Sequence, residues 1–539
     1  MRNNYRIEPM STDISSTFNQ SRIQPNYIRT IDDNHNITTG ASLSCEKYNS
    51  IKNYFQKILN KCHCPHVEKR GVERISPEDR TDLTIMNTAM IWVGASIIVP
   101  TFVTGILGPA VFKLDLYTSF ATIIIFNLLG FIPIGIMACF GPASGLRTMI
   151  FSRYSWGYYG ASIMSIINVI AALGWAAINS ITGAQTLRVV FDDSLPLSVG
   201  IIIISFVSMI ISFVGYKWIH IYERYSWIPI FIAYCILGGV GAKYFTHSQT
   251  VSSAETKSDN ENHYQKIIRI INFGMICLGG SVSWCTYAAD YNTYFPEDTS
   301  QLKIFLLTYI GNIMPVIPLQ LLGAAAYTGT YTNSKWADAY EINNVGGLLG
   351  ASLSPLRGFR KFLLILFALS TVACNIPNVY SYSLSIQVVA PIFERVPRFL
   401  YTVIGTVIYV LMAIFAANNF NESLTSFISL SLYFYGIFTV IVFEDHLIFR
   451  RCSFKNYNFN IWDSRKKLPI GLAAILSSFV GIVGIVLGMS QTWFSGPIAK
   501  AIANGSGEQG ADVGFIFGLI FTGVAFPLFR FIELYYIGR

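Results

Sequence analysis

Long apolar runs follow one another along most of this chain and restrict what it can fold into. After residue 84 there are twelve such runs, each close to the ~20 residues that an α-helix needs to cross a bilayer. Only 13% of all residues are charged, against about 25% in soluble proteins. We therefore predict an all-α integral membrane protein with twelve transmembrane helices, at 87–112, 116–140, 159–184, 196–216, 226–243, 267–290, 304–328, 361–388, 398–417, 422–444, 469–490 and 512–532.

Residues 1–84 differ from the rest because they are polar, and we expect a mostly disordered cytoplasmic tail. Within it, apolar residues recur at helical spacing among lysines over 47–61, which fits a helix lying on the membrane, a nascent helix or a docking segment for the tail. Cys62 and Cys64 follow and are candidates for palmitoylation. The spacing of "CHCPH" at 62–66 is tighter than in common zinc sites, so we expect no metal.

The orientation follows from the short loops that are rich in lysine and arginine, because such loops lie on the cytoplasmic side of a membrane. These loops are on the side of the N-terminal tail, and an even number of spans places the C-terminus on that side too. Spans 1–10 (85–444) then form the transport core, and 445–539 adds spans 11 and 12 and a short cytoplasmic C-terminus. Asn504 begins an extracellular glycosylation sequon.

The net charge of +8 is assigned to loops facing anionic lipid, not to nucleic-acid binding. The basic loop residues are Arg147, Arg153, Lys217, Arg224, Arg395, Arg398, Arg450, Arg451, Lys455, Arg465, Lys466 and Lys467.

Glycine and proline interrupt the first and the sixth span, at matching positions in two groups of five. Span 1 contains Gly105 and Gly108, and span 6 contains Gly279 and Gly280. Breaks in corresponding spans indicate a transporter built from inverted repeats, with a polar substrate held at the unwound backbone. The alternative is that these glycines only allow helices to pack closely.

Aromatic and amide side chains inside the spans are the candidate binding residues. Trp175 and Asn179 are four residues apart and share a helix face, and span 6 adds Trp284. Indoles can stack on a flat heteroaromatic ring while amides read its edge. Taken singly, each tryptophan also fits an anchoring or packing role.

Span 8 carries the remaining candidates, in the string "NIPN". Asn375 and Asn378 flank Pro377, and each costs free energy in lipid unless it finds a partner. A polar cavity would supply such partners. We expect Asn378 to face the substrate and Asn375 to hold the local geometry, although an interhelical hydrogen bond explains each asparagine equally well.

Several long collinear strings resemble the nucleobase:cation symporter family 1, and most of all the fungal purine–cytosine permeases. The similarity runs from Gly71 to Arg539 through "GPASGLRTMIFSRY", "INVIAALGWAAIN", "YAADYNTYFPEDT", "LSTVACNIPNVYSYSLS", "FRRCSFKNYNFNIWDSRKKLPIG" and "GVAFPLFRFIELYYIGR". It implies a LeuT-type fold with a five-plus-five inverted repeat and two extra helices. It also implies proton-coupled uptake of cytosine and of purines such as adenine, guanine and hypoxanthine at the plasma membrane. The site residues that it implies are Trp175, Asn179, Trp284, Pro377 and Asn378.

The chain departs from the permease pattern at two positions. Val103 stands where those permeases tend to have serine, so that Thr104 is the nearest hydroxyl, and Cys374 replaces the first asparagine of "NNIPN". Each change removes a hydrogen-bonding group near the predicted site. Pyridoxine, which vitamin B6 transporters of the same family carry, is therefore an alternative substrate.

Proton coupling needs a titratable group, and Asp290 at the end of span 6 is the first candidate. It could equally brace one mouth of the transporter. Glu444 and Asp445, at the end of span 10, are weaker candidates.

We expect no cofactor besides the coupling ion. An enzyme is not expected, because the seven histidines form no H-E-x-x-H pair, whereas a nutrient sensor that binds without transport stays open.

Overall fold

Helices make up most of the chain in the computed structural model. It describes residues 71–212, 216–246, 263–394, 396, 398–503 and 510–539. The predicted surface helix at 47–61, Cys62, Cys64, most of the predicted tail and the sequon at Asn504 lie outside the described residues.

Each of the twelve predicted spans overlaps one described helix, or in the first span a bent pair of helices. The α-helices are α1 (Met86–Ser96), α2 (Val99–Ala110), α3 (Leu116–Ala138), α4 (Phe140–Ser144), α5 (Thr148–Phe151), α6 (Arg153–Val190), α7 (Leu197–Ser212), α8 (Tyr216–Gly241), α9 (His263–Val282), α10 (Gln301–Thr332), α11 (Ser334–Ser352), α12 (Phe359–Val389), α13 (Pro391–Glu394), α14 (Arg398–Ala416), α15 (Phe420–Glu444), α16 (Leu472–Gly488), α17 (Pro497–Ala503) and α18 (Gly514–Ile537).

Length and hydropathy alone identify eight membrane-crossing segments within the described residues, or nine when α1 and α2 count as one span. One of these segments, Arg398–Phe449, contains both α14 and α15. The apolar helices α7 and α16, of 16 and 17 residues, are shorter than these eight segments. The all-α membrane fold is confirmed, and these helices are consistent with twelve crossings.

The first span bends by 56° between α1 and α2, at Ile97 and Ile98. Pro100 lies in the first turn of α2, where its missing N–H costs no helical hydrogen bond. The break therefore precedes the glycines to which the sequence analysis assigned it. Gly105 and Gly108 lie inside α2, and their role there is close packing: a Cβ on Gly105 would overlap the carbonyl oxygen of Gln320.

The sixth span changes conformation at Ser283, where α9 gives way to a 3₁₀ turn, Ser283–Thr286. Here too the predicted glycines lie beside the break, because both are still helical. A Cβ on Gly279 would crowd Ile428 of α15, whereas one on Gly280 would meet no atom within 4 Å. Gly279 thus serves helix packing, and Gly280 leaves space open.

The helices pack as two sets, which we call the bundle and the scaffold. In the bundle (α1, α2, α3, α9 and α10), α10 packs against α1, α2 and α3, and α9 packs against α3. In the scaffold (α6, α7, α12 and α14), α6 packs against the other three. Spans 1, 2, 6 and 7 thus face spans 3, 4, 8 and 9, as expected when two five-span halves interlock.

Arginines connect several basic loops at one end of the helices. The buried Arg80 donates hydrogen bonds to the carbonyl oxygens of Pro142 (2.7 Å) and Ser144 (3.1 Å). Arg153 pairs with Asp463 at 2.9 Å. Residues 71–84, the loop after span 2 and the loop after span 10 therefore lie together, which agrees with the charge pattern used to orient the chain.

Several elements lie outside the predicted spans, among them a two-stranded β-ribbon (Ser490–Gln491 with Phe494–Ser495) and helix α11. α11 is kinked where Asn344 has a φ of 44°. Asn343 beside the kink donates a hydrogen bond to the carbonyl oxygen of Gln185 at 3.0 Å. This fixes α11 against the end of α6.

The contact between α2 and α10 predicts the effect of Gly105→Ala. The added methyl must displace the backbone of α10, and overpacking of this kind typically costs about 1–3 kcal/mol. We expect a lower melting temperature in detergent, measured by fluorescence-detected size exclusion. Gly239→Ala is the matched control, because a Cβ there meets no atom within 4 Å. Equal melting temperatures for both variants would contradict the packing role.

Candidate functional site

A cavity lies between the bundle and the scaffold, where the first and the sixth span are interrupted. It contains about 650 Å³ of empty space, including some that is open to solvent. Eight helices and the 3₁₀ turn contribute to its wall. The lining residues are Ala95, Ser96, Ile98, Pro100, Thr101, Thr104, Phe131, Trp175, Asn179, Gly280, Ser283, Trp284, Tyr287, Val316, Gln320, Cys374, Asn378 and Leu424.

Both predicted tryptophans line this cavity, and other aromatic rings hold each of them. Trp284 meets Trp92 edge to face, with ring centroids 5.5 Å apart and planes at 80°. Trp175 meets Phe427 in the same way, at 5.4 Å and 82°. Edge-to-face pairs of this kind fix the plane of a ring. Each indole is half-buried and therefore keeps part of its surface free toward the cavity.

The amide of Asn179 also lines the cavity, and Asn375 sets its orientation. Asn179 Nδ2 donates to Asn375 Oδ1 at 3.0 Å, and Asn375 Nδ2 donates to Ser180 Oγ at 3.2 Å. Asn179 Oδ1 has no hydrogen-bond partner among the described residues. The structure thus places Asn375 behind Asn179, outside the cavity wall, and leaves an acceptor of Asn179 available.

Span 8 runs through Pro377 as one continuous helix, α12. Asn378 and Cys374 line the cavity one helical turn apart, whereas Pro377 does not line it. The amide nitrogen of Asn378 approaches Cys374 Sγ at 3.9 Å. Cys374, one of the two departures from the permease pattern, therefore lies in the wall itself.

Span 1 contributes hydroxyl groups on both sides of its break. Thr104 lines the cavity, but its Oγ1 donates to the carbonyl oxygen of Pro100 at 3.0 Å. Val103 is buried and does not line the cavity. Ser96 and Thr101 do line it and were not predicted, because a single hydroxyl in an apolar run also fits helix packing.

Asp290 lies outside the cavity, in the loop after the sixth span. Its Oδ1 accepts a hydrogen bond from the backbone N–H of Thr148 at 2.7 Å, at the start of α5. Burial raises the pKa of this carboxyl to about 6, although Arg147 and the bonds from Thr148 oppose the increase. The group thus joins the loop after span 6 to the loop between spans 2 and 3.

The other two acidic candidates are not in the cavity wall either. Asp445 is buried, with its oxygens 3.6 Å from Arg450 and 3.9 Å from Arg530 of α18. A Cβ on Gly523 of α18 would crowd the carboxyl of Glu444. Both therefore face the contact between α15 and α18.

Gln320 of α10 is a lining residue that the sequence analysis missed. It is the lone amide in "VIPLQLLGAAAY", and it is only 3% exposed. An amide within an apolar stretch of the span was the available signal. Within the described ranges no cluster of three or more histidine, cysteine or acidic side chains could hold a metal ion, and the Cys62–His66 string lies outside them.

A comparison with protein families adds independent information. Residues 75–500 match the model of the permease for cytosine/purines, uracil, thiamine, allantoin. The chain belongs to this permease family. It is therefore a multi-pass membrane transporter and not an enzyme.

Fungal members of the permease family match over most of their length. The purine-cytosine permease fcyB of Emericella nidulans is 38% identical over 88% of this chain and 90% of its own. The purine-cytosine permease FCY2 of Saccharomyces cerevisiae is 35% identical over 88% and 87%. The vitamin B6 transporter TPN1 of the same yeast is 27% identical over 92% and 94%.

Among solved structures, the permease resembles Mhp1, a nucleobase-cation-symport-1 family transporter in a closed conformation with bromovinylhydantoin bound. The TM-score is 0.63 at 14% sequence identity, covering 87% of this chain and 95% of that one. At this identity the likeness concerns the fold, and it confirms the predicted LeuT-type architecture.

The hydrogen bond between Asn375 and Asn179 predicts that Asn375→Ala weakens ligand binding, although Asn375 itself lies outside the cavity wall. Loss of one oriented hydrogen bond costs about 0.5–1.5 kcal/mol, which corresponds to several-fold in affinity. Asn168→Ala is the control, because Asn168 makes a similar bond between α6 and α12, to Ser385 at 3.0 Å, outside the cavity wall. KM measured by radiolabelled uptake should rise only for Asn375→Ala. Equal KM values for both variants would show that Asn375 serves stability alone.

Proposed function

We propose that this permease is a proton-coupled symporter that imports cytosine and purines such as adenine, guanine and hypoxanthine by alternating access. The observation that carries the proposal is the cavity at the two interrupted spans. There Trp175 and Trp284 bring indole surfaces, and Asn179 and Asn378 bring amides, from spans on both sides of the bundle–scaffold boundary. The purine–cytosine permeases among its relatives support the same substrate class.

The chemistry of this wall suits a flat nitrogen heterocycle. Indole faces bind an aromatic ring by stacking, which is worth about 1–3 kcal/mol per base in other base-binding proteins. Amides and hydroxyls then select among rings through the donors and acceptors on their edges. Half of the fourteen other lining residues are apolar, and small-molecule sites in general combine an apolar wall with a few placed polar groups.

Pyridoxine is the alternative substrate, and two observations favour keeping it. The vitamin B6 transporter TPN1 matches almost the whole chain. In addition, Cys374 gives the wall a thiol where an amide was expected, and the hydroxyl of Thr104 is engaged by a backbone carbonyl. Both features lower the number of groups that can read the edge of a base.

Uptake in cells that lack their own nucleobase permeases tests the proposal. We expect saturable accumulation of radiolabelled cytosine or adenine, with unlabelled purines competing better than pyridoxine. Competition by pyridoxine alone would select the alternative. Binding without accumulation would indicate a sensor and contradict transport.

The same assay tests the cavity wall through single substitutions. Trp175→Ala, Trp284→Ala, Asn179→Ala and Asn378→Ala should each reduce affinity roughly 5-fold to 100-fold, because each removes stacking surface or a hydrogen bond. Surface delivery is measured in parallel. Trp493→Ala is the control, since Trp493 is 63% exposed and outside the wall. Normal uptake kinetics in all four variants would place the site elsewhere.

The coupling proton is assigned to Asp290 within this proposal. A carboxyl with a pKa of about 6 is mostly protonated at pH 5 and mostly charged at pH 7. Its charged form accepts the N–H at the start of α5, so protonation weakens the contact between the bundle and that loop. The charge of Arg147 favours release of the proton again.

Asp290→Asn therefore predicts a change in pH dependence. Wild-type uptake should rise as the external pH falls from about 7 to about 5, the range in which a group of pKa near 6 changes charge. The variant should lose most of this slope. Asp298→Asn is the control, an exposed carboxyl in the same loop. An unchanged slope in Asp290→Asn would make Asp290 a brace, not a proton carrier.

We also place the transporter in the plasma membrane with both termini in the cytoplasm. The basic loops after spans 2 and 10 lie together with residues 71–84. The C-terminal carbonyl of Arg539 accepts a hydrogen bond from Arg530. Arg530 also donates to Glu533, which accepts a hydrogen bond from the backbone N–H of Gly471 at the start of span 11. The same basic end thus contains both ends of the described chain, as the positive-inside rule requires.

A further inference from the structure

Gln320 brings an amide into the cavity from α10, on the side of the bundle. Gln320 lines the wall, and only 3% of the residue is exposed. A buried amide needs partners for one acceptor and two donor hydrogens. The neighbours of Gln320 satisfy the acceptor only.

A chain of three hydrogen bonds decides which end of the Gln320 amide faces the cavity. Asn127 Nδ2 donates at 2.7 Å both to the backbone carbonyl of Ile123 and to Gln320 Oε1. Ser281 Oγ donates to Asn127 Oδ1 at 2.7 Å. Because a carbonyl can only accept, the Asn127 atom that faces Ile123 must be its nitrogen, and the Gln320 atom facing that nitrogen must be its oxygen.

The nitrogen of Gln320 is therefore left as a donor. No described residue hydrogen-bonds Gln320 Nε2. Asn127 and Ser281 are fully buried, so water does not compete for their bonds. The amide cannot rotate by half a turn without placing two nitrogens against each other.

The backbone of Gln320 is also held in place. A Cβ on Gly105 would overlap the carbonyl oxygen of Gln320, and a Cβ on Gly323 would overlap the carbonyl oxygen of Phe102. α2 and α10 thus touch through their backbones at Gln320 itself and again at Gly323. The donor is fixed both by its hydrogen bonds and by the helix that carries it.

We infer that Gln320 is a specificity-determining residue, which donates a hydrogen bond to an unprotonated ring nitrogen or a carbonyl oxygen on the edge of the substrate. This inference rests on the proposed function and adds to it the required chemistry of the ligand. Asn179 offers the opposite group, an acceptor without a partner, from the scaffold. A ring that carries an acceptor on one edge and an N–H donor on another can bridge the two helix sets.

The inference is tested with radiolabelled adenine and a set of unlabelled analogues in which one ring nitrogen at a time is replaced by C–H. Each replacement removes one acceptor and preserves the shape of the ring. The measured quantity is the inhibition constant of each analogue divided by that of adenine. This ratio does not depend on how much transporter reaches the surface.

In the wild type, one analogue should inhibit about 10-fold to 100-fold more weakly than adenine because it leaves the buried Gln320 donor unpaired. Gln320→Met, which has a similar length and no donor, should remove most of that penalty for the same analogue. Gln320→Leu should do likewise, since leucine has no N–H to leave unpaired. Gln185→Met is the matched control, a buried glutamine outside the cavity wall, and should keep the wild-type ratios.

Two results would overturn the inference while leaving nucleobase transport intact. One is a wild type that treats every analogue like adenine. The other is a set of ratios that both Gln320 variants leave unchanged. An absence of saturable adenine uptake in the wild type would instead contradict the proposed purine transport, and this inference would fall with it.

Discussion

A helix that is interrupted inside a bilayer must shield its unpaired backbone groups from lipid. The rest of this structure depends on how that requirement is met at Ile97 and Ile98. Pro100 lies in the first turn of the new helix, where no backbone N–H is needed for a helical hydrogen bond. Gly105 of α2 then packs closely against α10. The break is thereby enclosed by the bundle on one side and by the scaffold on the other. The space between the two sets is the cavity.

Hydrogen bonds behind the cavity wall determine what the wall offers to a ligand. Asn375 accepts a hydrogen bond from the amide nitrogen of Asn179, and Asn127 donates one to the amide oxygen of Gln320. The first amide therefore keeps an acceptor and the second keeps a donor. Two side chains of the same chemical type thus become different recognition groups, because their partners outside the cavity differ.

The sequence predicted much of this arrangement. The four-residue spacing of Trp175 and Asn179 put both on one helix face, and both line the cavity. The glycines were misleading, since a glycine at a break and a glycine at a close contact look alike until the neighbour is known. Gln320 was missed for a related reason: its orientation depends on Asn127, which is distant in sequence and belongs to another span.

The departures from the permease pattern show where sequence comparison reaches its limit. Cys374 lies in the wall and Val103 does not, although both were suspected of changing the substrate range. A substitution matters for recognition only if its side chain reaches the ligand, and this depends on the packing of several spans. Substrate choice within the family is therefore a property of the assembled cavity.

A structure determined with adenine bound tests the central claim most directly. The account predicts that the ring lies between the two helix sets, against the indoles of Trp175 and Trp284, with edge atoms within hydrogen-bonding distance of Asn179 and Asn378. A ring bound elsewhere, or these four side chains turned away from it, would contradict the account.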